Sequence, residues 1–214
     1  MAQRTVHYAF GQRLLDHIGP DNAPRFLLGS LLPDAIHSKA DRDASHYIFR
    51  GDDGSHYYEF DRFRREFAAQ MRDPLYLGYY MHLVEDSFYR AFCHRDYHYY
   101  FVRETDVRAL HRDYHLLNPY LIQHYALVNR LTVPADFAEE PIALIARFDL
   151  QQLYDDLAQD FIERPEGEFT FLSREMMDEF IMRYLPPVEN ELLSVLDGKE
   201  LLHAPDFAWK KDEE

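Results

Sequence analysis

An imidazole and a carboxylate stand four residues apart in the segment GYYMHLVEDSFYRAF, residues 78–92, which is otherwise apolar and aromatic. Side chains four apart on a helix lie on the same face, so His82 and Asp86 point the same way. A neutral imidazole nitrogen and an anionic oxygen one helical turn apart can bind the same cation. Gly78, one turn earlier, leaves room beside the backbone. The pair alone also fits a buried histidine that is hydrogen-bonded to a carboxylate.

Three more residues of these types lie upstream. His7 stands on the apolar stripe of the first predicted helix, Asp34 follows a proline in LLPDAIH, and His46 lies where a polar segment becomes apolar in DASHYIF. Each has an ordinary structural explanation, since a carboxylate after a proline often caps a turn. All three nevertheless precede the helix of His82 and Asp86, and they lie on segments that a compact bundle can bring close to that helix. We therefore predict a metal site built from imidazoles and carboxylates.

The donor types restrict the metal. The single cysteine, Cys93, excludes an internal disulfide framework and a multi-cysteine zinc site. Imidazole with carboxylate suits zinc, manganese or iron, whereas magnesium and calcium sites are built mainly from oxygen. A cation in such a site would attract anionic groups, and metal-activated water can hydrolyse a phosphate ester that is bound there.

Charge and length exclude several classes of protein. The 214 residues suffice for one core and do not require two domains. The 23 basic and 38 acidic residues give a net charge of −15, so the average surface repels nucleic-acid phosphates and anionic lipid headgroups. No stretch reaches the roughly 18 uninterrupted apolar residues of a membrane span, and the amino-terminal segment lacks a secretory signal. We expect a cytoplasmic protein for which nucleic acid is an unlikely partner.

The elements that position these groups are predicted to be helices, because apolar residues recur at helical spacing. Asp73 before Pro74 predicts a helix start, Ser173 predicts another, and Gly198 predicts a helix end. The Asp- and His-rich residues 37–54 are predicted to form a polar loop. The predicted helices span residues 5–18, 23–32, 55–71, 74–92, 104–117, 119–131, 138–161, 173–185 and 187–198.

No run of short alternating strands and no internal repeat occurs. The predicted fold class is all-α, a single-domain multi-helix bundle of roughly seven to nine helices. The bundle is expected to cover residues 1–204, and residues 205–214 are expected to form an acidic carboxyl-terminal tail.

The ordered segments VHYAFGQRLL, LLGSLLPDAIH, DASHY and LGYYMHLVEDSF resemble the zinc-dependent phospholipase C family, whose all-helical fold is shared with single-strand-specific zinc nucleases. That family has a His in its first helix, a Gly-x-x-x-Pro-Asp turn, a Ser or Thr followed by His, and a Gly-Tyr-x-x-His-x-x-x-Asp helix. The resemblance covers residues 7–90, less than half of the chain. The matching positions are His7, Gly29, Pro33, Asp34, Ser45, His46, Gly78, Tyr79, His82 and Asp86.

The resemblance implies a two-metal hydrolase of phosphate esters, a phospholipase C-like phosphodiesterase that contains zinc. It implies that His46, His82 and Asp86 hold one ion, while His7 and Asp34 hold or bridge a second. Asp34 is the implied catalytic carboxylate, which orients the attacking water or bridges the ions. The implied substrate is a small-molecule or lipid phosphate ester.

The chain departs from the family at two points. Secreted lipases of this kind use a mature amino terminus as a metal ligand, and this chain starts with an ordinary methionine. The family's third metal needs a later His and a His-x-x-x-Glu pair. Here only His94 with His98, and His111 with His115, have a related spacing, and neither matches well.

The sequence leaves undecided the roles of four further residues and two alternative functions. His37 and His56 are candidates for outer positions around the metals, and Arg90 and Arg95 are either phosphate-binding or solvated surface residues. A second helical class of metal phosphohydrolases is marked by a His-Asp dipeptide, which this sequence lacks. The non-enzymatic alternative is a helical binding protein in which the metal site is structural.

Overall fold

A computed structural model describes residues 2–19, 21–36, 38–101 and 103–210. This part of the chain is mostly helical, as the sequence predicted, and contains a small antiparallel sheet with strand order β1-β2-β3. The helices are α1 Arg4–Ile18, α2 Ala23–Leu31, α3 Lys39–Ser45, α4 Phe60–Glu66, α5 Pro74–Ala91, α6 Glu104–His124, α7 Leu150–Ile162 and α8 Arg174–Leu196. The strands are β1 Ile48–Arg50, β2 Ser55–Tyr58 and β3 Trp209–Lys210.

Helix α5 is the centre of the bundle, and α1, α2, α4 and α8 all pack against it. Its start is formed as the sequence predicted: Pro74 is the first helical residue, and the Asp73 carboxylate accepts a hydrogen bond of 2.9 Å from the backbone N–H of Leu75. Most of α5 is buried on every side, which explains its nearly continuous apolar and aromatic sequence.

Helices α2 and α5 touch backbone to backbone at two glycines. A Cβ atom on Gly29 would lie 2.1 Å from the carbonyl oxygen of Leu75, and one on Gly78 would lie 2.1 Å from that of Phe26. Neither position can therefore carry a side chain without moving the helices apart. The contact joins the helix of His82 and Asp86 to the segment that ends at Asp34.

The prediction of a polar loop followed by a helix over residues 55–71 was wrong. The loop region contains α3 and β1, and the predicted helix is divided into β2 and the shorter α4. Gly54, with a φ of 82°, lies in the tight connection of a β-hairpin, and aromatic residues on both strands favour extended backbone. Phe49 and Tyr57 stack across the hairpin with ring centroids 4.6 Å apart. Cross-strand packing therefore outweighed the helical spacing of the sequence.

Two predicted helix breaks were also wrong. Helix α6 continues through Pro119, and α8 continues through Pro186 and Pro187. A proline inside a helix removes one backbone hydrogen bond and costs about 3 kcal/mol. Buried residues nevertheless lie on both sides of the prolines, Leu117 and Leu121 in α6, and Ile181 and Val188 in α8. Tertiary packing therefore holds the flanking turns together.

The helix predicted for residues 138–161 begins later, at Leu150. Its first part instead forms 3₁₀ turns at Phe137–Glu139 and Pro141–Leu144. Phe148 then forms an isolated β-bridge with Ile36, and the N–H of Asp149 donates to the Ala35 carbonyl at 2.8 Å. These contacts draw the chain across the turn that contains Asp34 before α7 can start.

Residues 205–210, which the sequence assigned to the acidic tail, contact the rest of the protein. Phe207 packs against Phe60 and Phe88, with centroids 6.0 and 5.0 Å apart, and β3 pairs with β2. Residues 211–214 lie outside the described part of the chain. Within the described residues, no helix has both the length and the apolar character that crossing a bilayer requires.

Replacing Gly29 by Ala should destabilise the protein by about 3 kcal/mol, because the new methyl group meets backbone atoms that cannot rotate away. Gly11→Ala is the matched control, since its Cβ would lie 3.0 Å from Leu27 Cδ2, the movable end of a side chain, and should cost about 1 kcal/mol or less. Urea unfolding followed by circular dichroism measures both. Equal unfolding midpoints for the two variants would contradict the proposed backbone contact.

Candidate metal centre

The structure brings all five predicted ligands into one cluster. His7 comes from α1, Asp34 from the 3₁₀ turn after α2, and His46 from the residue that follows α3. His82 and Asp86 come from α5 and share one face, as predicted. The four residues other than Asp34 are fully buried, whereas the Asp34 side chain is 14% exposed.

Two imidazoles and two carboxylates surround a first cation position, here called position 1. His46 Nε2 and His82 Nε2 are 3.2 Å apart, and Asp86 Oδ2 lies 3.7 Å from each of them. Asp34 Oδ1 lies 3.4 Å from His46 Nε2. Two nitrogens bound tetrahedrally to one zinc ion at about 2.05 Å would stand about 3.3 Å apart. The spacing of the two imidazoles therefore fits a shared cation.

The other oxygens of the same carboxylates face a second place, position 2. His7 Nε2 lies 3.8 Å from Asp34 Oδ2 and 3.7 Å from Asp86 Oδ1. The backbone N–H of Ala2 also donates to Asp86 Oδ1 at 2.8 Å, so the start of the chain lies against the cluster. Asp34 and Asp86 each offer one oxygen to each position, which is the arrangement of carboxylates that bridge two metals.

The histidines are oriented so that Nε2 faces the centre of the cluster. His82 Nδ1 donates to the carbonyl of Ser30 at 2.8 Å, and His46 Nδ1 lies 3.2 Å from the carbonyl of Arg42. A carbonyl oxygen only accepts hydrogen bonds, so each Nδ1 carries a proton and each Nε2 is the nitrogen that can bind a cation. Such outer hydrogen bonds are the usual support of metal-bound histidines.

Glu85 supports His7 in the same way, a contact that the sequence did not predict. Its Oε2 lies 2.9 Å from His7 Nδ1, and the side chain is completely buried. The available signal was a third ionisable residue in the apolar segment, directly before Asp86. Burial works to lower the pKa of His7, but the Glu85 carboxylate and the nearby Asp86 and Asp34 raise it to about 9.

Two buried atoms that face the centre lack hydrogen-bond partners. They are His7 Nε2 and Asp86 Oδ2, neither of which finds a donor or acceptor among the described residues. An unsatisfied buried polar group costs about 1–3 kcal/mol, and native proteins keep few of them. Cations at the two positions would satisfy both atoms, so the residues fit the predicted metal.

The charges of the cluster also suit cation binding. Burial favours neutral Asp34, but its hydrogen bond with His46 and the nearby imidazoles hold the pKa of this carboxyl well below its usual range. The pKa of Asp86 is also lowered, against the effect of burial, by nearby positive charge, to which the protonated His7 contributes. Burial, with the neighbouring His7, lowers the pKa of His82 to about 3, which keeps its imidazole neutral.

A pocket of about 480 Å³ opens beside this cluster. Of the five predicted ligands, Asp34 alone lines it, so the cluster meets the surface through Asp34. One part of the lining is apolar and aromatic and comprises Ile36, Phe101, Val107, Leu110 and Tyr114. The polar part comprises Arg4, Arg42, Arg90, His111 and His115, with Ala2 and Gln3 between them.

The remaining candidate histidines lie elsewhere. His56 is on β2, stacked on Trp209 with centroids 6.1 Å apart, and His94 and His98 line a separate pocket on the far side of Arg90. His111 and His115 are exposed residues of α6 at the mouth of the Asp34 pocket. His37 lies outside the described residues. None of the described histidines in this group joins position 1 or position 2.

Comparison with known proteins found no match to this chain among protein-family models, curated protein sequences or solved structures. The interpretation of the cluster therefore depends on its geometry and chemistry.

Replacing His82 and Asp86 together by Ala should abolish most metal binding, because Asp86 faces both positions. We expect about two ions per chain in the wild type and less than one in the variant, measured by elemental mass spectrometry after purification without chelator. His203→Ala with Asp206→Ala is the control, since this exposed His–Asp pair has a contact of 3.5 Å but lies at the surface. Equal metal content in both double variants, or no metal after reconstitution with zinc or manganese, would contradict the site.

Zinc binding should release a proton from His7. Without a cation this imidazole has a pKa of about 9 and is protonated at pH 7, whereas a ligand needs a free Nε2 lone pair. Zinc affinity should therefore rise with pH from 6 to 8. Calorimetry in two buffers of different ionisation enthalpy counts the released protons, and Glu85→Gln, which removes the charge that raises the pKa of His7, should reduce that number. The same proton release in both proteins would be evidence against this coupling.

Proposed function

We propose that this chain is a metal-dependent hydrolase of phosphate esters that binds two divalent cations. The observation that carries the proposal is the pair of cation positions that share Asp34 and Asp86 and open to a pocket through Asp34. A catalytic metal site differs from a structural one by having a position that substrate or water can reach. Here the exposed part of Asp34 supplies that access.

The donor set supports zinc, with manganese or iron as alternatives. His46 and His82 with Asp86 would hold one ion, and His7 would hold the other, with both carboxylates between them. Paired cations of this kind lower the pKa of bound water and stabilise negative charge on phosphoryl oxygens. The protein's part is to orient the three imidazoles, which their Nδ1 hydrogen bonds do.

Asp34 is the group that we propose as catalytic. Its low pKa keeps it ionised near neutral pH, and its side chain reaches both the imidazoles and the pocket. A carboxylate in this place can accept a hydrogen bond from the attacking water and orient it toward a bound phosphorus atom. No other acidic side chain among the described residues lines the same pocket.

We further propose that the fold is of the phospholipase C and zinc nuclease type. The support is the order of the matching segments together with their convergence: the four elements that carry the motifs meet at one cluster. A small-molecule or lipid phosphate ester fits the size of the pocket, and the acidic surface disfavours nucleic acid.

A structural metal site is the second candidate, and complete burial of four of the five ligands favours it. In that case the cations would hold the elements together without turning over a substrate, and their removal would lower the melting temperature. The two candidates differ in what the loss of the Asp34 charge should do.

Asp34→Asn should reduce hydrolysis of p-nitrophenyl phosphate and bis(p-nitrophenyl) phosphate by about 100-fold or more, because the amide cannot accept a proton from water. Its helical circular dichroism spectrum should be retained. Asp43→Asn is the control, since Asp43 lies on α3 but is 36% exposed and paired with Arg50. Wild-type protein that holds two zinc ions but hydrolyses neither ester would instead support the structural site.

A further inference from the structure

Three arginines of the Asp34 pocket belong to the elements that present metal ligands, and one of them, Arg4 on α1, forms ion pairs with Asp156 and Asp160. Arg42 lies on α3 four residues before His46, and its carbonyl accepts the His46 Nδ1 hydrogen bond. Arg90 lies on α5 one turn beyond Asp86. Both residues line the pocket that Asp34 also lines, so this pocket carries basic residues in a protein whose net charge is −15.

The guanidinium groups of Arg42 and Arg90 and the carboxylates of the cluster influence the pKa of the same tyrosine, Tyr58. Tyr58, whose ring centroid is 6.1 Å from that of His46, has a raised pKa. Burial is the main cause, followed by Asp86, while Arg90 and Arg42 work in the opposite direction. Arg90 is held in place by Trp209, because its guanidinium carbon lies 4.0 Å from the centroid of the indole ring.

The two proposed metal ions and the two arginines together favour a phosphomonoester over a phosphodiester. A phosphodiester has two non-bridging oxygens and one negative charge. A phosphomonoester has three terminal oxygens and, near pH 7, a charge of about −1.5 to −2. Two cations can occupy both free oxygens of a diester, whereas a monoester keeps acceptor capacity for a guanidinium, which matches phosphate oxygens in pairs.

The other residues that line the pocket indicate which kind of alcohol the ester contains. Phe101, Leu110 and Tyr114 provide an apolar and aromatic wall. A quaternary ammonium headgroup, such as that of a choline phosphodiester, would instead meet Arg42 and Arg90. Among the described lining residues, Asp34 is the single carboxylate available to such a cation, and in the proposed function it is bound to metal.

We propose that the substrate is the dianion of a phosphomonoester of an apolar or aromatic alcohol, and that Arg42 and Arg90 bind its terminal oxygens. This inference rests on the hydrolase function proposed above. In the reaction, the oxygen of one water molecule forms a bond to phosphorus while the bond from phosphorus to the alcohol oxygen breaks. A proton from water passes to the alcohol oxygen, so the products are the alcohol and inorganic phosphate.

The test compares three chromogenic esters with the zinc-loaded full chain: p-nitrophenyl phosphate, bis(p-nitrophenyl) phosphate and p-nitrophenylphosphorylcholine. We expect kcat/KM for the monoester to exceed that for the choline diester by about 10-fold or more. A lipid monoester, dihexanoyl phosphatidic acid, forms a fourth arm. Faster turnover of this lipid than of p-nitrophenyl phosphate would identify acyl chains as the groups on the apolar wall, and slower turnover would identify a soluble aromatic ester.

Variants separate the arginines from the rest of the site. Arg42→Gln and Arg90→Gln should each raise KM for p-nitrophenyl phosphate, and weaken competitive inhibition by inorganic phosphate, by about 10-fold. Turnover of bis(p-nitrophenyl) phosphate should fall by a smaller factor than turnover of p-nitrophenyl phosphate. Arg42 is exposed, so its variant should fold normally even if loss of the Trp209 contact unfolds the Arg90 variant. Arg108→Gln, on the exposed face of α6 and paired with Glu104, is the matched control.

The outcomes distinguish this inference from the proposed function. Equal or faster hydrolysis of the choline diester, or unchanged inhibition by phosphate in Arg42→Gln, would overturn the inference and leave the hydrolase in place. Protein that holds two zinc ions but hydrolyses none of the four esters would overturn the proposed function and the inference together.

Discussion

The backbone contact between α2 and α5 is the constraint on which the rest of the structure depends. Because Gly29 and Gly78 carry no side chains, the two helices approach closely enough for the Ser30 carbonyl to accept the hydrogen bond of His82 Nδ1. The same approach places the turn of Asp34 beside α5. The orientation of an imidazole and the position of the exposed carboxylate thus follow from one close packing of two helices.

A cluster of ionisable groups in the core conflicts with the stability of the fold. His7, His82, Glu85 and Asp86 are fully buried around the same centre, and burying such groups without partners is costly. Hydrogen bonds to Nδ1 offset part of that cost, while His7 Nε2 and Asp86 Oδ2, which face the centre, have no hydrogen-bond partner among the described residues. Cations at the centre would offset the remainder, and metal binding would then be coupled to folding.

Local pattern was a good guide where an element is stabilised by its own sequence. The start of α5 at Asp73 and Pro74, and the end of α8 before Gly198, agree with prediction because caps are short-range interactions. Residues 55–71 were misassigned because β2 is held by pairing with β1, which lies outside that segment, and with β3, which lies far along the chain. The prolines of α6 and α8 misled for the same reason, since buried neighbours outweigh a local preference.

The sequence by itself determined the chemistry of this protein: which imidazoles and carboxylates are available, and that His82 and Asp86 share a helix face. That much follows from residue types and from the fixed period of a helix. Only the tertiary structure decided that each carboxylate faces two positions, that Glu85 supports His7, and that the cluster opens through Asp34. These features depend on contacts between residues far apart in the chain, whose distances are set by packing rather than by spacing.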